Sequence, residues 1–475
     1  MDKVKMPIRA APFTHQREAF EEALRQFGLT DGIIRSRGYG LLFQMGLGKS
    51  LTAIAVAGEL YLQGKIKRAL VTAPLSVLGV WDEECDKFAD FDYSLTILTG
   101  SGAKKAEALK NIGGKNLQVV VINYESAWRM EKEIAAWRPD LIIADEGHKL
   151  KVHSTKVSKA MHRLGAAADY RLLLTGTLVT NKAIDIFSPY KFLNPAIFGN
   201  SFYSFRNQYF DMCGYGSYTP VLKKSMEPEL TRKLHSIAYR ATKAECLDLP
   251  EMTDIVRYVE LEPAAMRVYR ELVKENYAEL ERGEITTSNI LTKILRLSQL
   301  TGGFLNNDGG VSQRISTAKM VALEDIVDGA AAEDKKLVIV AHFVPEVKAI
   351  CTMLEKRGIR YSCIYGEVKD RAEQVAAFQT DPDVKIMVGQ ITTIGLGLTL
   401  TAASTLIFYS ENYSMSDFEQ TKSRIHRNGQ REPCTFIYLT ASGTVDERVL
   451  KSLRDKADLA KALIDDYRKG VNPFN

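Results

Sequence analysis

Ten short apolar runs, each leading into a turn and then a helix-length amphipathic segment, constrain this chain more than any other feature. Five fall early, at residues 39–45 (YGLLFQM), 68–74 (RALVTAP), 117–124 (LQVVVINY), 139–146 (PDLIIADE) and 170–177 (YRLLLTGT). Five fall late, at 335–343 (KKLVIVAHF), 359–366 (IRYSCIYG), 384–390 (VKIMVGQ), 404–411 (STLIFYSE) and 434–442 (CTFIYLTAS). Continuous rather than alternating hydrophobicity is what strands buried on both faces require. Parallel strands need crossovers long enough to hold a helix, so the pattern predicts two open α/β sheets in tandem.

The first lobe is expected over residues 1–245, with a helical and aromatic insertion near 186–240, and the second over 246–475, with a helical insertion near 262–320. Leu249-Pro250 marks the passage between them, because proline ends a helix and restricts the residue before it. The segment 186–218 holds eleven aromatic residues, from Phe187 to Tyr218. Their density favours an insertion's hydrophobic core over a platform for stacking bases. Residues 262–300 carry apolar positions at helical spacing.

Length and composition agree with this plan. At about 100–200 residues per domain, a chain of 475 residues is more than one small domain. Its 45% hydrophobic and 25% charged content is that of a globular protein, not a disordered one. No run approaches the roughly 18 apolar residues that cross a bilayer, and the first residues, MDKVKMPIRAAPF, lack a secretory apolar run. The expectation is a soluble protein without a membrane partner, in the cytoplasm of a bacterium or of a virus-infected cell. A net charge of +5 suits a polyanionic partner without singling one out. The six cysteines, at 85, 213, 246, 351, 363 and 434, are scattered and read as reduced thiols.

The first strand runs into Gly46-Leu47-Gly48-Lys49-Ser50 and then into a helical segment. Glycines admit backbone amides to phosphate oxygens, and a helix start adds partial positive charge. Lys49 would neutralise terminal phosphates and the Ser50 hydroxyl would ligate magnesium. Phe43 stands where the full pattern has its first glycine, so this is a shortened form. Taken alone, it leaves a glycine turn capped by a surface lysine as the lesser alternative.

A second motif narrows that choice. The strand at 139–146 ends in Asp145-Glu146, followed by Gly147-His148. Strand C-terminal ends are where open α/β sheets bind ligands. Asp145 would hold hydrated magnesium, and Glu146 would orient and deprotonate an attacking water. Phosphoryl transfer needs further positive charge at its transition state. Arg424 and Arg427, three apart and on one face if helical, are the candidates; a basic helix facing solvent or nucleic acid is the alternative.

Together these residues resemble the SNF2 family of superfamily 2 helicase-type motors over nearly the whole chain. Phe13-Thr14-His15-Gln16 is similar to the motif whose glutamine reads adenine; MGLGKS (45–50) resembles motif I, residues 71–84 motif Ia and INYES (122–126) motif Ib. DEGH (145–148) resembles motif II and residues 172–188 motif III, including the family's Asn181 extension. VIVAHF (338–343), residues 392–414 and QTKSRIHRNGQ (420–430) resemble motifs IV, V and VI. GLTLTAAS and GTVDERVLKSL (443–453) look like the branch containing fork-remodelling, strand-annealing enzymes. Ser423 departs from the family's usual aspartate, and Gln44 from a usual acidic residue.

The resemblance implies two tandem RecA-like parallel-sheet lobes with helical insertions, closing on ATP and Mg2+. It assigns nucleotide binding to Gln16, Gly46, Leu47, Gly48, Lys49 and Ser50, metal binding to Ser50 and Asp145, and catalysis to Lys49, Asp145, Glu146, Arg424 and Arg427. Sequence-blind phosphate contacts are expected around Thr72, Ser76, Asn123, Thr175, Thr393 and Thr399. The implied activity is ATP-driven translocation on double-stranded DNA by a monomer, with remodelling of forks or branched DNA. A strand-separating helicase and an ATP-gated nucleic-acid clamp are the alternatives.

Overall fold

The computed structural model describes residues 4–176, 183–213, 219–246, 249–282, 287–306, 312–368, 370–395 and 398–455. The chain divides into two compact units, Met1–Asp248 and Leu249–Asn475. Asn181, and the aromatics Tyr215 and Tyr218, lie outside the described residues.

In the first unit the strands are β1 (Gly38–Phe43), β2 (Arg68–Ala73), β3 (Tyr93–Ile97), β4 (Leu117–Asn123), β5 (Leu141–Asp145), β6 (Tyr170–Leu174), a hairpin of β7 (Phe210–Cys213) and β8 (Thr219–Leu222), and β9 (Ala238–Ala241). All but the hairpin form one sheet in the order β3-β4-β2-β5-β6-β1-β9, and every pairing is parallel. β1, β5 and β6 are buried along their whole length, as their apolar runs require. One core lies on each face of the sheet.

The aromatic segment fills one of them. Phe187, Tyr190, Phe192, Phe198, Phe205, Tyr209 and Phe210 are buried together, with the Phe198 and Phe205 rings 5.2 Å apart, edge to face. Tyr203 is the exception, 64% exposed beneath the Arg206 guanidinium. The aromatics therefore build the interior, as their density suggested.

The second unit contains β10 (Met252–Val259), the antiparallel pair β11 (Phe304–Asn306) and β12 (Ser312–Arg314), and β13 (Leu337–Ala341), β14 (Tyr361–Ile364), β15 (Ile386–Gln390), β16 (Thr405–Phe408) and β17 (Cys434–Ala441). Its main sheet runs β10-β17-β16-β13-β15-β14, again wholly parallel. The helical stretch expected at 262–300 is two helices, Pro263–Arg282 and Thr287–Thr301. The two parallel-sheet lobes anticipated from the apolar runs are thus present, with three additional edge strands, β3, β9 and β10. Among the described residues, no helix is long and apolar enough to cross a membrane.

The second unit buries an unusual group of charges. Lys319 Nζ lies 2.6 Å from Asp446 Oδ2 and donates to the Tyr409 carbonyl at 3.1 Å. Glu346 Oε2 accepts from Ser410 Oγ at 2.5 Å and from the Phe343 amide at 3.1 Å. Glu411 is buried in the same region. Burial pushes Glu411 up to about 8 and Glu346 up to about 7, against the opposing charge of Lys319. Burial works against the Lys319 ammonium, but the Asp446 and Glu411 carboxylates outweigh it and raise its pKa.

A carboxyl group whose folded pKa is raised holds its proton after the unfolded chain has released one. Stability therefore falls as pH climbs from the unfolded value, about 4.3, through the folded one. Glu411→Gln removes that loss. Its thermal midpoint should exceed the parent's above about pH 8, by an effect of a few kcal/mol at most, and match it near pH 4. Equal pH dependence in the two proteins would show that Glu411 is ionised in the folded state.

Candidate active site

β1 delivers the chain to the C-terminal edge of the first sheet, where it turns through Gly46 and Gly48 into the helix Lys49–Leu62. Both glycines have left-handed backbone, φ 83° and 80°. At Gly48 a second constraint adds to this: a Cβ would sit 2.2 Å from Gln16 Nε2. Only glycine meets both conditions without strain. Phe43, at the position of the missing first glycine, is still inside β1 and pairs with Ala241 of β9. Extended backbone needs no glycine, which accounts for the shortened motif.

The turn is held from the helix Thr14–Gln26. His15 Nε2 and Gln16 Nε2 both donate to the Leu47 carbonyl, at 2.9 and 3.0 Å, while Gln16 Oε1 accepts from the Phe13 amide at 2.9 Å. Lys49 Nζ donates to the Phe43 carbonyl at 3.2 Å, so its ammonium lies over the turn. A cavity of about 630 Å³ opens beside this helix, lined by Phe13, His15, Glu18, Tyr239, Arg240 and Cys246 among others.

Asp145 closes β5 at the same edge and is buried. Trp81 Nε1 donates to its Oδ2 at 3.0 Å, the Glu146 amide to its Oδ1 at 2.9 Å, and the Tyr124 hydroxyl to its backbone carbonyl at 2.7 Å. Burial, then the adjacent Glu146 carboxylate, pushes the Asp145 carboxyl up to about 6 against the opposing pull of Lys49 and Trp81. Glu146 has φ 49°, uncommon for a residue with a side chain, and its Oε2 lies 3.2 Å from His148 Nδ1. β5 and β1 are separated only by β6, about 10 Å in all. Lys49 and the acidic pair, 96 residues apart in sequence, thus meet at one edge.

The residues expected to touch phosphates divide by burial. Thr72 is fully buried and its hydroxyl donates to the Ile143 carbonyl at 3.2 Å. Thr175 and Thr393 are also buried. At Thr72 the hydroxyl is engaged with the protein, which leaves backbone or neighbouring groups for a phosphate there. Asn123 and Thr399 are half-buried, and Asn123 Oδ1 has no hydrogen-bond partner. Ser76 lies on a short 3-10 turn, Leu75–Val77, after β2.

In the second unit the helix Met415–Lys422 ends before Arg424. The expectation that helical spacing pairs Arg424 with Arg427 is corrected: residues 423–429 form turns. The two arginines still converge, through a shared acceptor. Arg424 donates to the carbonyls of Gly395 (2.9 Å) and Leu398 (3.4 Å), and Arg427 donates to Leu398 at 3.2 Å. Gln430 Nε2 ties the same region down through the Ala403 carbonyl at 2.8 Å. Ser423, in place of the family's aspartate, donates locally to the Gln420 carbonyl at 2.6 Å. Gln44, in place of an acidic residue, accepts from the Lys243 amide at 2.7 Å.

Residues 35–302 match the family described as SNF2-related domain, more than half of the chain, and residues 318–429 match the helicase conserved C-terminal domain. The chain belongs to the SNF2-related family. It is 26% identical over 474 residues to the DNA repair and recombination protein RDH54 of Saccharomyces cerevisiae, covering 89% of this chain and 51% of that protein. An uncharacterized ATP-dependent helicase of Mycoplasma pneumoniae is 24% identical over 433 residues, with 89% and 40% covered. The SWI2/SNF2 ATPase core of Sulfolobus solfataricus in complex with dsDNA is 26% identical and covers 96% of this chain and 93% of that chain, with a TM-score of 0.48. The chain spans about half the length of the yeast relative and less of the Mycoplasma one.

Sequence reasoning missed the residues that support the SNF2 site. Trp81 and Tyr124 sit inside strings quoted for motifs Ia and Ib, yet nothing in their spacing shows that both serve Asp145. It also missed a basic surface on the first unit next to Asn123. Lys105 Nζ donates to Ser126 Oγ at 2.6 Å, and Lys156 and Arg129 each lie over the Trp128 ring, 5.2 and 5.5 Å from its centre. Three separate segments supply those residues.

Proposed function

We propose that this SNF2-family chain is a DNA-dependent ATPase that translocates along double-stranded DNA and remodels forks or branched junctions. The observation that carries this reading is the meeting of Lys49 with the Asp145-Glu146 pair at one sheet edge, close enough for the ammonium to act on the Asp145 carboxyl. A buried carboxyl pushed up by its neighbours is suited to a cation, whose charge would bring it back down. Asp145 and Ser50 would hold Mg2+, which supplies charge neutralisation for ATP when bound. The rest of its coordination would come from phosphate oxygens and water, as is usual for this ion.

The protein's own groups then have distinct tasks. The amides of Gly46–Ser50 and the Lys49 ammonium hold the phosphates, and Gln16, already locked to Leu47, sits where the adenine would be read. Glu146 orients the attacking water and accepts its proton. Arg424 and Arg427 supply the remaining positive charge to the transition state. Asn123, at the end of β4 and three residues before Ser126, whose hydroxyl accepts from Lys105, is the strongest phosphate-contacting position of the first unit; Thr72, Ser76 and Thr175 add contacts from the same unit, and Thr393 and Thr399 from the second. Contacts of this kind are blind to base sequence.

Side-by-side measurement of ATP hydrolysis with duplex, single-stranded, forked and four-way-junction DNA and with RNA tests the substrate. Duplex-containing DNA should stimulate most, and the protein should displace the third strand of a triplex without unwinding a plain fork. Unwinding the fork while leaving the triplex intact favours a strand-separating helicase. Lys49→Ala should abolish displacement while leaving DNA binding; displacement that survives marks an ATP-gated clamp instead.

A further inference from the structure

Scattered along the sequence, the six cysteines gave no sign of pairing, but two are neighbours in the second unit. Cys351 lies on the helix Val344–Lys356, Cys363 lies on the edge strand β14, and their sulfurs are 3.5 Å apart. Both are half-buried, unlike Cys85 and Cys434, which are buried, and Cys213, which is exposed. We propose that Cys351 and Cys363 are an oxidation site, forming a reversible intramolecular disulfide when the protein meets a peroxide.

Geometry makes the reaction short. A disulfide needs sulfurs about 2.05 Å apart, so the two must approach by only about 1.5 Å from their 3.5 Å contact. Helix and strand pack directly on one another, and β14 has only one sheet neighbour, β15, so its position is the easier to adjust. A shared soft-metal site is the competing use of two thiols. Among the described residues, however, no group of three His, Cys, Asp or Glu side chains could hold a metal ion.

The pair also divides the chemical labour. The hydrogen bond between the two sulfurs draws the Cys351 thiol below its ordinary range despite burial and pushes Cys363 up. Cys351 thiolate therefore attacks first. Its sulfur displaces hydroxide from hydrogen peroxide, breaking the O–O bond and forming a sulfenic acid; the sulfur loses two electrons and the peroxide gains them. Cys363 sulfur then attacks the sulfenic sulfur, the S–O bond breaks, and the Cys363 proton leaves with the hydroxide as water. A thiol reductant reverses the product by exchange.

The test treats the full chain with hydrogen peroxide, blocks remaining thiols and maps cysteine peptides without reduction. Trypsin separates the two cysteines at Arg357 and Arg360, so a disulfide appears as two joined peptides lacking two hydrogen atoms. That species should form before any involving Cys213, disappear on reduction and be accompanied by a higher thermal midpoint. In Cys363→Ser, Cys351 should instead accumulate as a sulfenic acid that reacts with dimedone, with no rise in midpoint. Direct conversion of Cys351 to sulfinic acid in the parent, or reaction at Cys213 while this pair stays reduced, would overturn the proposal. ATP hydrolysis plays no part in the readout, so the result stands apart from the proposed motor function.

Discussion

Arg427→Ala should lower DNA-stimulated ATP turnover by about 10³- to 10⁵-fold, the contribution of an arginine that stabilises a phosphoryl-transfer transition state. The structure makes this the cleaner of the two arginine substitutions. Arg427 shares the Leu398 carbonyl with Arg424, so that acceptor keeps a donor when Arg427 is truncated. Arg424 alone also serves Gly395, and its removal would strip a turn of hydrogen bonds as well as charge. A fall in turnover for Arg427→Ala, with an unchanged unfolding midpoint and retained DNA binding, places the guanidinium at the reacting phosphate. Near-normal turnover would confine Arg427 to holding the Leu398 carbonyl.

Glu146→Gln is the second large effect. The amide keeps the size of the side chain and the left-handed backbone at φ 49°, but it cannot accept a proton from water. Turnover should drop by about 10²- to 10⁴-fold, the range for losing a general base. Apparent ATP affinity should hold, because Lys49 and the Gly46–Ser50 turn are untouched. Rapid-quench measurement of a single turnover separates the two quantities. A variant that hydrolyses at the parental rate would transfer the base to another group, and His148, 3.2 Å from Glu146, would be the first to examine.

The strands legible in advance and those that were not differ by position in the sheet. Nine of the ten anticipated runs lie between two neighbours, where both faces are covered and only apolar side chains fit. These are the runs that become β1, β2, β4, β5 and β6 in one unit and, in the other, β13, β15, β16 and β17, to which β14 is added at an edge. The strands of the two main sheets that were missed, β3, β9 and β10, are all edges. β3 reads YSLTI and is only partly buried; β10 reads MTDIVRYV and leaves Met252, Ile255 and Tyr258 exposed. An edge strand can carry polar residues, so it leaves no apolar run to find.

The functional residues divide in a similar way. Lys49, Asp145 and Glu146 were readable because their chemistry demands fixed local surroundings: a glycine turn between strand and helix, and two acids at a strand's end. Trp81 and Tyr124 were not, because an aromatic donor in an apolar segment looks like core until its partner is known. For the same reason the spacing of Arg424 and Arg427 suggested a helix where the chain instead turns, with a shared carbonyl bringing the two guanidinia together.

By itself, then, the order of residues determined which segments are strands buried on both faces, where the glycine turn between strand and helix lies and which acids stand at a strand's end, since each is set within a few neighbours along the chain. Only the tertiary structure decided that β1 and β5 lie two strands apart, that three threonines expected at phosphates are buried, that Trp81 secures Asp145, and that Cys351 touches Cys363. Those outcomes depend on which distant segments pack side by side, and nothing within a short window of sequence encodes them.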